Sequence, residues 1–323
     1  MSAPLPDIRT APAQVQAEAA ALRAALDAQI PPKRDIDRNL LLATWNICQF
    51  ASLSDGWEET GGSPVRNWRG LHAIAEIVSR FDVIAVQEIK GDLRALRTLM
   101  KTLGPEWGFL ATDVNRGDRG NDERMGFLFD HARARLSGLA GELTIPLEGL
   151  EDSPLRAFAR APYAVSFQAG AQTFILAVCH VFYGDDGPVA LEERRREIDA
   201  FARWMADWAE TTNRWHQDLL VLGDFNIDRM GDPLYEAFVS RGLRAPEALH
   251  AVPRTIFQKP SFYDQVAWFE SGDGARGLTM ELLSAGGFDF RPHVYADPPM
   301  PSRSLAARIS DHFPLWVEFR AAG

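Results

Sequence analysis

The feature that most constrains the fold of this chain is a series of short apolar runs, each about as long as a β-strand. Between some of them, apolar residues recur every three or four positions, as on one face of a helix, most clearly in 68–80 and 191–210. Single strands separated by helices, alternating with strand-rich stretches, favour an α/β sandwich over one parallel sheet. The predicted strands are 40–47, 83–87, 124–129, 164–167, 173–180, 219–222, 263–269 and 315–319.

The segment before the first predicted strand favours a helix. Residues 11–30 are rich in alanine and contain no glycine and no proline after Pro12, and Pro31 and Pro32 end the segment. We expect residues 1–34 to form a helical extension and residues 35–323 to form the main domain. The helix either packs on that domain or binds a partner. Two long stretches, 51–67 and 271–308, are predicted to be loops.

The composition is that of an ordinary globular protein, with 46% hydrophobic and 24% charged residues and a net charge of −10. This charge disfavours tight nonspecific binding to DNA, but a divalent cation can supply local positive charge for a phosphate substrate. We find no run of about 18 apolar residues for a membrane span and no secretory signal pattern. We therefore expect a cytoplasmic protein in which Cys48 and Cys179 are free thiols.

Polar side chains stand where several of the predicted strands meet their loops. They are Asn46, Gln87, Glu88, His180, Asp224, Asn226, Asp311 and His312. Each alone has an ordinary explanation, such as a buried amide, a structural histidine or an aspartate that caps a turn. Together they are harder to explain, because buried carboxylates need a cation, a partner or solvent. Glu88, Asp224 and Asp311 form an oxygen-rich set that suits Mg²⁺ or Mn²⁺, and pairs of cysteine and histidine at zinc spacings are absent.

The order of these motifs resembles that of the endonuclease/exonuclease/phosphatase family, whose most familiar member is deoxyribonuclease I. The matching segments are Thr44-Trp45-Asn46-Ile47, Gln87-Glu88, Gly223-Asp224-Phe225-Asn226 and Ser310-Asp311-His312. Two more segments agree with the family pattern, Arg160-Ala161-Pro162-Tyr163 and the Tyr263-Asp264 pair. The resemblance covers residues 40–319. It departs from the common pattern at Cys48 and Gln49, where an arginine often follows the Asn-Ile pair.

The resemblance implies a four-layer αββα sandwich of the deoxyribonuclease I type, with these strand ends meeting in one cleft. It also implies hydrolysis of a phosphate ester by in-line attack of water, assisted by Mg²⁺ or Mn²⁺. Glu88 would be the principal metal ligand, with Asn46 nearby and Asp311 contributing.

The same resemblance implies roles for the other site residues. Asp224 would orient or deprotonate the attacking water, and His312, oriented by Asp264, would stabilise developing charge or move a proton. The residues that would bind the phosphate are Arg160, Asn226 and His180.

The substrate is less constrained, because the family acts on DNA, abasic sites, RNA tails, inositol phosphates, sphingomyelin and nucleotide cofactors. His180 and Phe225 match deoxyribonuclease I, whereas abasic endonucleases usually have tyrosine and leucine there. Residues 262–265 are Phe-Tyr-Asp-Gln, not the Trp-Cys-Asp-Arg of inositol 5-phosphatases. We therefore predict a nuclease that cleaves DNA. The alternatives are an enzyme for a small nucleotide, inositol or phospholipid phosphate, and a catalytically silent binding protein.

A DNA substrate needs contacts beyond the catalytic centre, and basic and aromatic residues in predicted loops are candidates for them. The candidate backbone contacts are Arg66, Arg69, Arg116, Arg119, Arg124, Arg254 and Lys259, and the candidate stacking residues are Trp57, Trp68 and Trp107. For each residue, the alternative is an ordinary surface charge or an indole that packs under a loop.

Overall fold

The first strand shows how the chain builds its layers. In β1 (Leu40–Phe50), Leu40 and Leu42 lie in one hydrophobic core, whereas Leu41 and Ala43 lie in another. Because successive side chains point to opposite faces of a strand, a strand that is apolar on both faces lies between two cores. The computed structural model describes residues 6–59, 61–117, 119–145, 158–211, 218–257, 261–270 and 277–320.

The described strands form two six-stranded sheets. The first sheet contains β1, β2 (Val83–Lys90), β3 (Trp107–Ala111), β4 (Glu123–Asp130), β11 (Glu281–Gly287) and β12 (Leu315–Arg320). The second contains β5 (Arg135–Glu142), β6 (Tyr163–Ala169), β7 (Gln172–His180), β8 (Asp218–Asp224), β9 (Leu243–Arg244) and β10 (Asp264–Phe269). Their orders are β11-β12-β1-β2-β4-β3 and β5-β6-β7-β8-β10-β9.

Each sheet has a parallel pair at its centre, β1 with β2 and β7 with β8, and its other pairs are antiparallel. A crossover helix joins the strands of each parallel pair, so the carboxyl ends of both strands lie at the same edge. The register places Asn46 opposite Gln87, and it places Asp224 between His180 and Asp264. The predicted site residues therefore reach one edge of the sandwich.

Helices cover the outer face of each sheet. Those packed on the first sheet are α1 (Ala13–Gln29), α2 (Trp68–Val78), α3 (Arg94–Leu103) and α6 (Ser302–Arg308). Those packed on the second are α4 (Pro188–Thr211) and α5 (Pro233–Val239). A third core lies between the sheets. The four-layer αββα sandwich is confirmed.

The N-terminal helix packs on the main domain. Leu22 and Leu26 of α1 are buried in the core that α2 also lines. Arg23 Nε donates to Glu76 Oε1 at 2.9 Å, and Arg69 of α2 forms an ion pair with Glu18. This apolar face is therefore covered within the chain.

All eight predicted strands are present, but the prediction of a loop over 271–308 is wrong. This segment contains β11 and α6, and residues 271–276 of it lie outside the described residues. The sequence Glu281 to Gly287 has no β-branched residue, and its strand is stabilised by antiparallel pairing with β12 at the edge of the sheet. The described part of 51–67 contains neither a helix nor a strand, as predicted. In the part of the chain that the structure describes, no helix combines the length and apolar character needed to cross a bilayer.

Candidate active site

A single amide joins the two sheets at the edge where the strand ends meet. Asn46, at 1% exposure on β1, donates from Nδ2 to Oε1 of Glu88 at 3.0 Å and to Oδ2 of Asp224 at 3.0 Å. Glu88 belongs to the first sheet and Asp224 to the second. The cluster therefore depends on the packing of both sheets.

Glu88 is aimed into the cleft by an irregularity in its strand. Its φ is 61°, in the left-handed region, and the register between β1 and β2 shifts at this point. Gln49, at φ 45°, donates its backbone N–H to Glu88 Oε2 at 2.8 Å. Non-glycine residues in this conformation are strained and are concentrated at functional sites.

Oxygen atoms that suit a hard cation lie around Glu88. Asn46 Oδ1 is buried and has no hydrogen-bond partner among the described residues, and the same is true of Asp311 Oδ1. Burial, together with the charges of Asp311 and Glu88, raises the pKa of the Cys48 thiol, so both carboxylates act on the same small region. Carboxylate and amide oxygens are ligands that Mg²⁺ and Mn²⁺ accept. Asn46, Glu88 and Asp311 could therefore hold such an ion.

A second set of donor atoms, one each from Asp224, Asp264 and His312, lies within 4.8 Å of one another. His312 Nδ1 is already bonded to Asp264 Oδ2 at 2.7 Å, and the imidazole Nε2 faces Asp224 Oδ2 at 3.8 Å. Because two of the three groups are joined directly, this set is better suited to hold a charged imidazole than to enclose a metal.

His312 is fixed from several sides. Its backbone N–H donates to Ser310 Oγ at 2.9 Å, and its carbonyl accepts from Trp45 Nε1 at 2.8 Å. Burial alone would lower the pKa of His312, but the carboxylates of Asp264 and Asp224 outweigh it and hold the pKa well above its ordinary value. The ring is therefore stabilised as a cation.

Asp224 ends β8 in a conformation that its neighbours define. At Gly223, where φ is 130°, a Cβ would lie 2.0 Å from the carbonyl oxygen of Cys179, so only glycine fits. The Asn226 backbone N–H donates to Asp224 Oδ1 at 3.0 Å, and Asn226 Nδ2 donates to the Val181 carbonyl at 2.7 Å. Burial raises the pKa of Asp224 to about 7, although the charge of His312 opposes the rise. This carboxylate can accept a proton near neutral pH.

His180 approaches Asp224 from the other side, with Nε2 3.7 Å from Oδ2. Burial, together with the charges of Arg160 and His312, lowers the pKa of His180 well below its ordinary value. Its Nδ1 lies 3.4 Å from Glu123 Oε2 without a hydrogen bond. A neutral ring carries its proton on one of its two nitrogens, and Nε2 is the nitrogen that faces Asp224.

Glu123 belongs to the site and was missed in the sequence. It is 1% exposed, pairs with Lys90 Nζ at 2.8 Å and Arg160 Nε at 2.7 Å, and has its pKa raised by burial. It starts β4 and stands directly before the predicted strand 124–129, much as Asp311 and His312 stand before the last strand. This position before a strand is the feature of the sequence that could have identified Glu123.

Most of the candidate backbone-binding arginines have structural contacts instead. Buried Arg66 donates to the carbonyls of Cys48, Gln49, Arg308 and Ile309, and buried Arg254 donates to those of Asp264, Leu249 and Val252. Arg69 pairs with Glu18, Arg119 lies 3.2 Å from Glu193, and Arg124 donates to the Lys90 carbonyl at 3.0 Å. Arg116 is exposed, and Lys259 lies outside the described residues.

The candidate stacking tryptophans also pack within the protein. Trp57 and Trp68 meet edge to face with ring centroids 5.8 Å apart and belong to the cluster beside α1. Trp107 has the ammonium of Lys33 5.1 Å above its ring. The structure gives these three rings partners of their own.

The comparisons with known proteins agree with the motifs. The sequence model of the Endonuclease/Exonuclease/phosphatase family matches residues 43–312. No curated protein is significantly similar in sequence.

Solved structures show the same fold at low identity. The human Nocturnin catalytic domain with bound sulfate is 14% identical, with a TM-score of 0.58, over 88% of this chain and 95% of that one. The mannosyl-6-phosphatase Bt3783 of Bacteroides thetaiotaomicron is 16% identical, with a TM-score of 0.57, over 87% and 99%. D. rerio TDP2 complexed with a single-strand DNA product is 13% identical, with a TM-score of 0.55, over 87% and 98%.

Proposed function

Because the chain belongs to the endonuclease/exonuclease/phosphatase family and is a phosphoric ester hydrolase, we propose that the buried cluster around Asp224 is its catalytic centre. The observation that carries the proposal is the junction at Asn46, which brings Glu88 of one sheet and Asp224 of the other onto one amide. Acids, amides and imidazoles with perturbed pKa values in one cleft are typical of catalytic sites.

A divalent cation, Mg²⁺ or Mn²⁺, fits the oxygen set of Asn46, Glu88 and Asp311. When bound, it would polarise a phosphate oxygen and neutralise negative charge. Glu88 provides the charge, and the unpartnered Asn46 Oδ1 provides a neutral oxygen. Residues of the protein perform the proton transfers.

Asp224 orients the attacking water and takes its proton, since its pKa of about 7 makes it a base near neutral pH. His312, held by Asp264 as a cation, stabilises the charge that develops on the phosphate or gives its proton to the leaving oxygen. The neutral His180 donates from Nε2 to a nonbridging oxygen.

Arg160 and Asn226 complete the phosphate-binding set. Arg160 is 5% exposed and is held by Glu123, so its guanidinium is positioned before substrate arrives. Asn226, at φ 50°, donates one N–H of Nδ2 to the Val181 carbonyl. Its second N–H can donate to a phosphate oxygen. Such preorganised donors stabilise an in-line transition state without rearranging.

For the substrate we favour a compact phosphate ester, either a diester or a monoester. The basic residues that are candidates for contacts with a DNA backbone are largely engaged in contacts within the protein, and the net charge is −10. A protein that tracks DNA neutralises several phosphates with free lysine and arginine side chains.

Cleavage of DNA is the second candidate function. Its support is the deoxyribonuclease I-like pair of His180 and Phe225 and the similarity in fold to TDP2 complexed with single-strand DNA product. A single-stranded end has a lower density of phosphate charge than a duplex, which agrees better with the net charge of −10.

The test measures hydrolysis of bis-p-nitrophenyl phosphate and nicking of supercoiled plasmid, each with Mg²⁺, Mn²⁺ or EDTA. The variants are Asp224→Asn and, as a matched control on the surface of α1, Asp27→Asn. We expect metal-dependent hydrolysis of the small diester that Asp224→Asn abolishes and Asp27→Asn retains. Nicking of plasmid at a comparable rate would favour the nuclease. Hydrolysis that persists in EDTA or in Asp224→Asn would contradict the proposed centre.

A further inference from the structure

Next to the catalytic cluster the protein contains a cavity of about 950 Å³. Its walls come from two segments, 228–233 and 250–257, together with Phe262 and a few residues of neighbouring elements. The first segment begins two residues after Asn226, and Phe262 directly precedes Tyr263 and Asp264. The chain therefore passes from catalytic residues straight into the cavity wall.

Two buried arginines fix this wall to the catalytic segments. Arg254 is 1% exposed, lines the cavity and donates from Nε to the Asp264 carbonyl at 3.1 Å. Its neighbour Thr255 forms an isolated β-bridge with His312. Arg194 donates to the Asn226 carbonyl at 3.2 Å and lies 4.0 Å from Asp228 Oδ2. The cavity is therefore held in a fixed position beside the centre.

Most of the charged groups around the cavity already have partners. Asp232 caps α5 by accepting from the backbone of Tyr235 at 2.8 Å, Asp186 accepts from the Tyr183 hydroxyl, and the guanidinium of Arg291 pairs with Asp289. Asp228 remains as an acceptor, because its side chain is 34% exposed and its contact with Arg194 is long. Its Oδ1 is buried and has no hydrogen-bond partner among the described residues.

Apolar side chains form much of the remaining wall. Phe257 is 46% exposed and Met230 is 41% exposed, and both line the cavity. Large apolar side chains that face a cavity rather than the core are typical of small-molecule sites. An aromatic ring offers a flat face, and methionine adapts its shape to a neighbouring group.

We propose that this cavity binds the organic portion of the substrate and selects an aromatic heterocycle that bears an amino group, as in a nucleobase. The ring lies against Phe257 and Met230, and the amino group donates to Asp228. A sugar, which is polar on most of its surface, fits this wall less well. The inference rests on the proposed function, because it places the phosphate at the Asp224 centre.

The test compares two p-nitrophenyl phosphodiesters that share a leaving group, one of adenosine 5′-phosphate and one of methyl phosphate. We expect kcat/KM to be higher for the adenosine ester. Phe257→Ala should lower this preference roughly tenfold, since stacking on an aromatic side chain commonly contributes that much. Asp228→Asn should lower it by a smaller factor. Phe109→Ala, which removes an exposed ring from β3, should retain the preference.

A binding measurement separates this inference from the proposed function. Calorimetry would follow adenosine 5′-monophosphate binding to Asp224→Asn, with and without Phe257→Ala. Weaker binding in the double variant supports the cavity even if neither ester is cleaved, in which case the proposed function alone fails. Equal ester preference and equal binding with and without Phe257 would overturn the inference.

Discussion

His180 and His312 lie at nearly the same distance from the same carboxylate but have opposite properties. Their Nε2 atoms are 3.7 and 3.8 Å from Asp224 Oδ2. The pKa of His180 is lowered well below its ordinary value, and the pKa of His312 is raised well above it. Since both rings are buried, the difference between their pKa values comes from the other groups around each ring.

Those neighbours differ in charge and in contact. His312 bonds directly to Asp264, whose carboxylate stabilises the imidazolium. His180 lies among Arg160, Lys90 and Glu123, and the carboxylate of Glu123 is already paired with both cations. The Asp224 carboxylate thus faces two different rings. His312 is cationic and can give a proton, whereas His180 is neutral and can donate a hydrogen bond to an oxygen without adding charge. Acid and base roles are separated when environments push such pKa values apart.

Removing the shared partner should have the largest effect. Asp224→Asn keeps the shape of the side chain but cannot accept a proton, so we expect kcat to fall on the order of 10⁴-fold. Steady-state hydrolysis of bis-p-nitrophenyl phosphate measures it, and an unchanged circular dichroism spectrum shows that the fold is retained. A loss below about tenfold would mean that Asp224 is not the base.

Removing the cationic ring should have the next largest effect. His312→Gln should lower kcat on the order of 10³-fold, and Asp264→Asn should lower it less, because the imidazole remains but loses its charge stabilisation. The same assay checks both variants. If Asp264→Asn were as active as the wild type, the assignment of His312 as a cation held by Asp264 would be wrong.

The pH dependence should reflect Asp224. Its pKa of about 7 is above the usual value for aspartate, so the base is lost as the pH falls through that range. We expect kcat/KM to fall about tenfold per pH unit on the acidic side, because one proton blocks the base. A bound cation should move this limb to lower pH. A profile that is flat from pH 5 to 8 at low metal concentration would contradict the prediction.

Disturbing the surroundings of the neutral ring should have the smallest effect. Glu123→Gln leaves His180 in place but weakens the ion pair that positions Arg160, so we expect a loss of roughly 10- to 100-fold in kcat/KM, mostly through KM. Asp27→Asn serves as the surface control. If Glu123→Gln lowered kcat as much as His312→Gln does, the two regions would not have the separate roles described above.

Sequence reasoning located the His312 region more completely than the His180 region. The Tyr263-Asp264 and Asp311-His312 pairs stand beside clear strands and match a family pattern, and the structure joins Asp264 to His312. Glu123 was missed because an acidic residue in the polar segment 121–124 also fits an ordinary turn. Its burial depends on Lys90 and Arg160, which lie far away in sequence.

The strands of the fold also differ in how well the sequence predicts them. Strands that are apolar on both faces were predictable, because burial on two sides leaves long runs of leucine and valine. Edge strands such as β3 and β11 were not, because their burial is partial and their stability comes from pairing with a neighbour. The structural roles of Arg66 and Arg254 could not be predicted either, because only the folded chain shows the backbone carbonyls that they bind.

The most direct test of the contrast between the two histidines is a pH titration of the imidazole nitrogens by NMR in ¹⁵N-labelled, metal-free protein. The chain has seven histidines, and spectra of His180→Gln and His312→Gln assign the two signals. We predict that the pKa of His312 lies above the ordinary histidine value and that of His180 below it, so that His312 is still doubly protonated where His180 is already neutral. Two rings that titrate together near their ordinary pKa would contradict it.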